Sequence, residues 1–151
     1  MAFQKKTPLR KTWKWKVGGT VGTDCDSAAT AAGAVTILSC PAKTLVKRVQ
    51  ATVITANTGA TLWKVGDATD DDGYIVTIHA QSAGSFPSGA EDTSFIGAYM
   101  LASTAGATNA NDPSRSAKEK YYTAATDIIL TTTGTATAGE IVVNIDFEVM
   151  S

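Results

Sequence analysis

The chain has 151 residues and a formal net charge of −1, the size of one domain with a core large enough to hold without metals or disulfides. One histidine and two cysteines leave no material for a histidine-based metal or catalytic constellation or for a disulfide framework. No stretch approaches the roughly 20 apolar residues of a membrane helix, so a membrane is not an expected partner. Thr and Ala dominate, Gly is frequent, and no window of about ten residues carries a 3.6-residue apolar rhythm. Branched Cβ atoms suit a pleated surface, and an all-β fold is predicted.

The small net charge hides an asymmetry. Lys5, Lys6, Arg10, Lys11, Lys14 and Lys16 fall in the first sixteen residues, and every acid lies after residue 20. A basic segment on an acidic body suits docking to protein surfaces, including other copies of itself. Met1 to Arg10 lacks the apolar region of a secretory signal. Synthesis in a reducing cytosol with Cys25 and Cys40 both free is expected, with a disulfide formed after release from the cell as the alternative.

In chain order, residues 1–16 read as an extended basic N-terminal arm, with Pro8 discouraging helix, and residues 17–151 as the folded domain. If extended, the arm sets Trp13, Trp15 and Val17 on one face and Lys14 and Lys16 on the other. One reading makes it a first strand behind a solvated tail. The functional reading makes it a partner-binding anchor, with Trp13 and Trp15 filling apolar grooves on a neighbouring subunit while Lys5, Lys6, Arg10, Lys11, Lys14 and Lys16 meet acids. The acidic body would repel DNA and no nucleic-acid motif is present, which argues against a nucleic-acid partner.

Strands are predicted at 34–39, 45–55, 61–65, 74–80, 95–102, 120–123, 127–133 and 140–150, with polar loops at 81–94 and 103–118. In 45–55, Val49, Ala51 and Val53 alternate with Arg48, Gln50 and Thr52. In 140–150, Ile141, Val143, Ile145, Phe147 and Val149 form the inward face, and Asn144, Asp146 and Glu148 an outer acidic stripe that the basic arm could meet. About eight strands separated by turns predict an antiparallel β-sandwich, and the two long loops favour a jelly-roll-like form.

Candidates for chemistry are few. His79 stands alone on a strand, and no nucleophile elbow or phosphate-cradling loop appears, so the chain is not expected to be an enzyme. The segment Val65-Gly-Asp67-Ala-Thr-Asp70-Asp71-Asp72-Gly73-Tyr74 has two readings. Asp67, Asp70 and Asp72 could wrap oxygen ligands around Ca²⁺, although the first and last positions of a full calcium loop would hold Ala68 and His79. Alternatively, the loop is a strand-connecting turn whose Asp side chains cap backbone amides.

Three segments together carry a resemblance: residues 62–74 (LWKVGDATDDDGY), 96–100 (IGAYM) and 137–143 (TAGEIVV). Their order resembles that in small structural proteins of tailed bacteriophages, where a VGD-x-x-D-x-DG-aromatic loop precedes a GAY strand and a TAG-led final strand. The resemblance implies a virion protein made in the host cytoplasm, with a β-sandwich or jelly-roll module. Its implied role is capsid decoration or cement, with itself, as a homotrimer, and the major capsid protein as partners. A tail, neck or fibre location is the alternative, and a carbohydrate- or Ca²⁺-binding sandwich module the alternative from another class.

Overall fold

The computed structural model describes residues 8–57, 62–79, 84–86 and 119–150, and the statements below concern these residues. Nine strands occur among them: β1 (Pro8–Lys16), β2 (Gly33–Cys40), β3 (Thr44–Thr55), β4 (Leu62–Asp67), β5 (Ile75–His79), β6 (Gly84–Phe86), β7 (Lys120–Tyr122), β8 (Thr126–Thr132) and β9 (Glu140–Val149). One sheet runs β1-β9-β3-β6, with β7 also on β3, and the other runs β2-β8-β4-β5. Every strand pairing is antiparallel. The pairs nest: β1 with β9, β2 with β8, β3 with β6, β4 with β5. A long hairpin rolled into two sheets in this way is a jelly roll. The predicted all-β sandwich is therefore the observed fold.

Alternation in the sequence sets the register. Ile141, Val143 and Ile145 of β9 and Val49, Ala51 and Val53 of β3 turn inward and are buried. The register shifts between Val46 and Arg48 against Phe147 and Asp146. The extra residue, Lys47, switches which side of β3 faces the core: Thr44 and Val46 are buried before it, Val49 and Ala51 after it. The outer stripe predicted for β9 is corrected at its end. Glu148 is buried and its Oε1 lies 2.7 Å from Lys47 Nζ, whereas Val149 is 38% exposed.

For residues 8–16 the structure agrees with the first-strand reading. Residues 8–16 form an edge strand of the first sheet, in register from Pro8 opposite Glu148 to Lys16 opposite Glu140. The boundary at residue 16 therefore falls inside a single sandwich. The period of two was read correctly, and the tryptophan face is the inner one. Trp15 meets Trp63 of the opposite sheet edge-on, with ring centroids 4.4 Å apart at 64°, and its Nε1 donates to the Ala29 carbonyl at 2.8 Å. This pair pins the two sheets together through large buried area and a favourable ring geometry. Gly84–Phe86 forms a short strand within the predicted loop 81–94, and the predicted strand 95–102 lies outside the described residues.

Candidate functional site

Strand β1 presents two chemically different surfaces. Its outer face carries polar pairs with β9, two of them directly opposite and the third, Lys14 with Glu140, diagonal. Arg10 donates from Nε and Nη2 to the two oxygens of Asp146 at 2.6 and 3.0 Å, Thr12 Oγ1 donates to Asn144 Oδ1 at 2.8 Å, and Lys14 Nζ lies 2.7 Å from Glu140 Oε1. The fork-to-carboxylate geometry holds the Asp146 carboxyl below its ordinary range, and the same hydrogen bond raises Arg10. The meeting of a basic segment with the acids of β9 thus takes place within one chain.

The free edge of β1 is partly covered. Asp26 Oδ2 accepts from the Lys14 amide at 2.8 Å, the Asp26 and Ser27 amides donate to the Lys14 carbonyl at 2.7 and 3.2 Å, and the Lys16 amide donates to the Ser27 carbonyl at 3.1 Å. Asp26 Oδ1 also lies 3.8 Å from Lys11 Nζ. Of the residues read as a partner-binding anchor, Trp13 and Trp15 face this chain's own core, at 3% and 1% exposure. They cannot also fill grooves on a neighbour without opening the sandwich. Arg10, Lys11, Lys14 and Lys16 share the edge, and Lys5 and Lys6 lie outside the described residues.

The acidic loop between β4 and β5 divides its carboxylates. Asp67 is buried; its Oδ1 accepts from the Thr69 and Asp70 amides at 2.8 and 3.0 Å, and its Oδ2 accepts from Tyr122 OH at 2.7 Å. Tyr122 OH also lies 2.7 Å from Tyr74 OH. Because β7 belongs to the first sheet and β4 to the second, this polar chain ties the two sheets. Burial and the Tyr74 and Asp67 contacts push the Tyr122 phenol far above its ordinary value. The loop folds back so closely that a side-chain carbon at Gly66 would collide with the Asp70 carbonyl.

Asp67 Oδ1 is thus engaged in the turn-capping pattern and Oδ2 by Tyr122. The structure gathers a different trio: carboxylate oxygens of Asp70, Asp71 and Asp72 lie within 4.8 Å of one another. Lys64 Nζ stands 3.5 Å from Asp71 Oδ1 and 3.8 Å from Asp72 Oδ2, so a cation is already beside the group. A hydrogen bond with Asp70, together with desolvation, raises the Asp72 carboxyl.

Cys25 and Cys40 are free thiols, both buried, and burial helped by Asp127 pushes Cys40 up to about 11. A cavity of about 170 Å³ lies beside Trp15 and Trp63, walled largely by alanines. A second, more open groove of about 440 Å³ runs between the edges of β1 and β2. Sequence reasoning missed Asp26, which covers half of the β1 edge, and Tyr122, the partner of Asp67. The first sits in a segment without periodic pattern and the second is remote in sequence, so neither left a local signal.

With the nested pairing and these sites described, the class is that of a jelly-roll protein. No protein-family model and no curated protein matches the sequence. Among solved structures the chain is similar to one from the acidic stable capsid structure of Helicobacter pylori bacteriophage KHP30. That match has a TM-score of 0.53 and 12% identity, covering 97% of this chain and 95% of that one. A chain of the cyanophage Pam1 capsid asymmetric unit aligns over 99% of this chain and 90% of its own at 15% identity, with a TM-score of 0.49. At these identities the likeness is one of fold.

Proposed function

We propose that this chain is a structural subunit of a phage virion that decorates and cements the head shell as a homotrimer bound to the major capsid protein. The observation that supports this reading most is the end-to-end jelly-roll likeness to a chain of a bacteriophage capsid. The ordered sequence pattern at 62–74, 96–100 and 137–143 points the same way. Its chemistry is that of a contact module, with charged side chains distributed over an outer sheet face and a long edge strand. The tryptophans of β1 act inside the subunit, so docking in this reading falls to the edge and outer face of β1.

The test is copy number. Purified protein is incubated with undecorated capsids, sedimented with them and quantified per particle, and its mass in solution is measured by light scattering. Copies on the order of hundreds, as icosahedral shells repeat their sites, support the cement role. A dozen or fewer move the subunit to the tail, neck or fibre, and no co-sedimentation with heads or tails overturns the virion reading. A monomer in solution and on the particle overturns the trimer.

A further inference from the structure

The two tryptophans that pin the sheets together also wall a pit of about 170 Å³. Trp15 and Trp63 are buried and form its inner wall, and Ala29, Ala31, Ala32 and Ala34 stand exposed around its mouth. Among the described residues, none that lines it is charged. An apolar cavity of about 150 Å³ is already large enough for a benzene-sized ring. The polar side chains of the pit are engaged, with one exception. Trp15 Nε1 donates to the Ala29 carbonyl at 2.8 Å, Ser27 Oγ accepts from the Ala29 amide at 3.3 Å, and Thr132 Oγ1 accepts from the Gly33 amide at 3.2 Å. The exception is Trp63 Nε1, a buried donor with no acceptor. Trp15, with its ring centroid 4.4 Å away, can offer it only a ring face, a weak acceptor.

We propose that this pit binds a small neutral ring compound that carries one hydrogen-bond acceptor, with Trp63 Nε1 as the donor. A buried N–H that has lost its water without gaining a partner is costly, and an acceptor brought to it recovers that cost. Water itself suits the site poorly. An ordered water needs about two to four polar partners, and the side chains of this wall leave one. A ring sets its apolar surface against indole and alanine, where burial and ring contacts favour it, and its single acceptor meets the single unpartnered donor. A charged ligand is disfavoured by the same wall, which has no counter-charge to offset desolvation.

Nε1 lies beneath the surface of the wall, so the Trp63 indole must tilt to present its N–H to the occupant. The empty volume leaves room for that movement, while the Trp15 ring is held in place by its own bond to Ala29. Trp15 is then the fixed wall, and Trp63 the indole that answers the ligand. Binding here asks nothing of the chain's place in a particle, so it stands or falls apart from the virion reading.

The probes are acetophenone and α-methylstyrene, which share a shape and differ in a carbonyl oxygen against a methylene. Each is titrated into the full, isotope-labelled chain, and the indole N–H resonances of the three tryptophans are followed. Acetophenone is expected to saturate, to move the Trp63 resonance downfield, and to bind about tenfold more tightly than α-methylstyrene, the effect of one hydrogen bond. Trp63→Phe keeps an aromatic wall and removes the donor, so the two probes should then bind alike. A Trp63 resonance that does not respond, equal affinities for the wild type, or an undiminished preference in folded Trp63→Phe overturns the proposal. Should Trp63→Phe fail to fold, the wild-type titrations and the Trp63 resonance still decide. Light scattering at saturation separates two sources of the ring. An unchanged mass supports a free ligand, and a fall in mass assigns the pit to a neighbouring subunit's side chain and overturns it.

Discussion

Strand β1 and the β4–β5 loop both concentrate charge, yet they hold it in opposite ways. On β1 the cations stay outside, where Arg10 pairs with Asp146 in solvent, and the tryptophans between them supply the buried area. In the loop the charged group itself goes inside, and Asp67 is held by two amides and a phenol. A carboxylate on a wet sheet face contributes little because water and salt compete for it. A carboxylate in the interior must be fully hydrogen-bonded, and each bond then matters. A dense local charge in the sequence therefore does not by itself separate docking surface from architecture.

Four measurements bear on that contrast, in falling order of effect. Trp15→Ala should cost about 4 kcal/mol in urea denaturation, as large-to-small core substitutions do; a loss near zero would restore β1 to the status of a detachable arm. Asp67→Ala should cost about 3 kcal/mol, because two turn amides and the Tyr122 hydroxyl lose their acceptor at once. If it costs no more than an exposed substitution, the buried chain is not what ties the sheets.

Alkaline titration isolates the same chain. The Tyr122 phenol is raised above its ordinary value near 10, so the folded state keeps the proton where the unfolded chain loses it. Stability is therefore full below pH 10 and falls as pH rises beyond it, by about 1.4 kcal/mol per unit for this one group. Tyr122→Phe should cost about 1–2 kcal/mol at pH 7 and flatten the alkaline limb, which pH-dependent unfolding would show. The smallest effect belongs to Arg10→Ala, expected to lower the melting temperature slightly at neutral pH and low salt, with the difference screened away at high salt. Because Asp146 is lowered by Arg10, its contribution is present above the unfolded carboxyl value of 3.8 and lost as pH falls below it. The substitution should remove that acid limb.

Much of the fold was legible because a period of two is local. It identified the inward residues of β9 from Ile141 to Ile145 and of β3 from Val49 onward, and the common face of Trp13 and Trp15. It could not tell that the tryptophan face meets Trp63 in the same chain instead of a neighbour, because alternation says that a face is buried and not against what. Nor could it foresee the bulge at Lys47, which reverses the phase of β3 and brings that ammonium to Glu148. In the acidic loop, spacing showed which carboxylates were available. The engagement of Asp67 depends on Tyr122, 55 positions away, and no local pattern contains it.

The nesting of strand pairs has a consequence for how the chain reaches this state. Arg10 and Asp146 are 136 positions apart, and closing so long a loop directly is entropically expensive and slow. Rolled from the inside, the same contact follows short closures. Once β4 lies on β5 and β2 on β8, only the connectors 17–32 and 133–139 still have to turn for β1 to find β9. This order predicts that β1 joins last, which pulsed amide exchange during refolding would show as late protection of its amides.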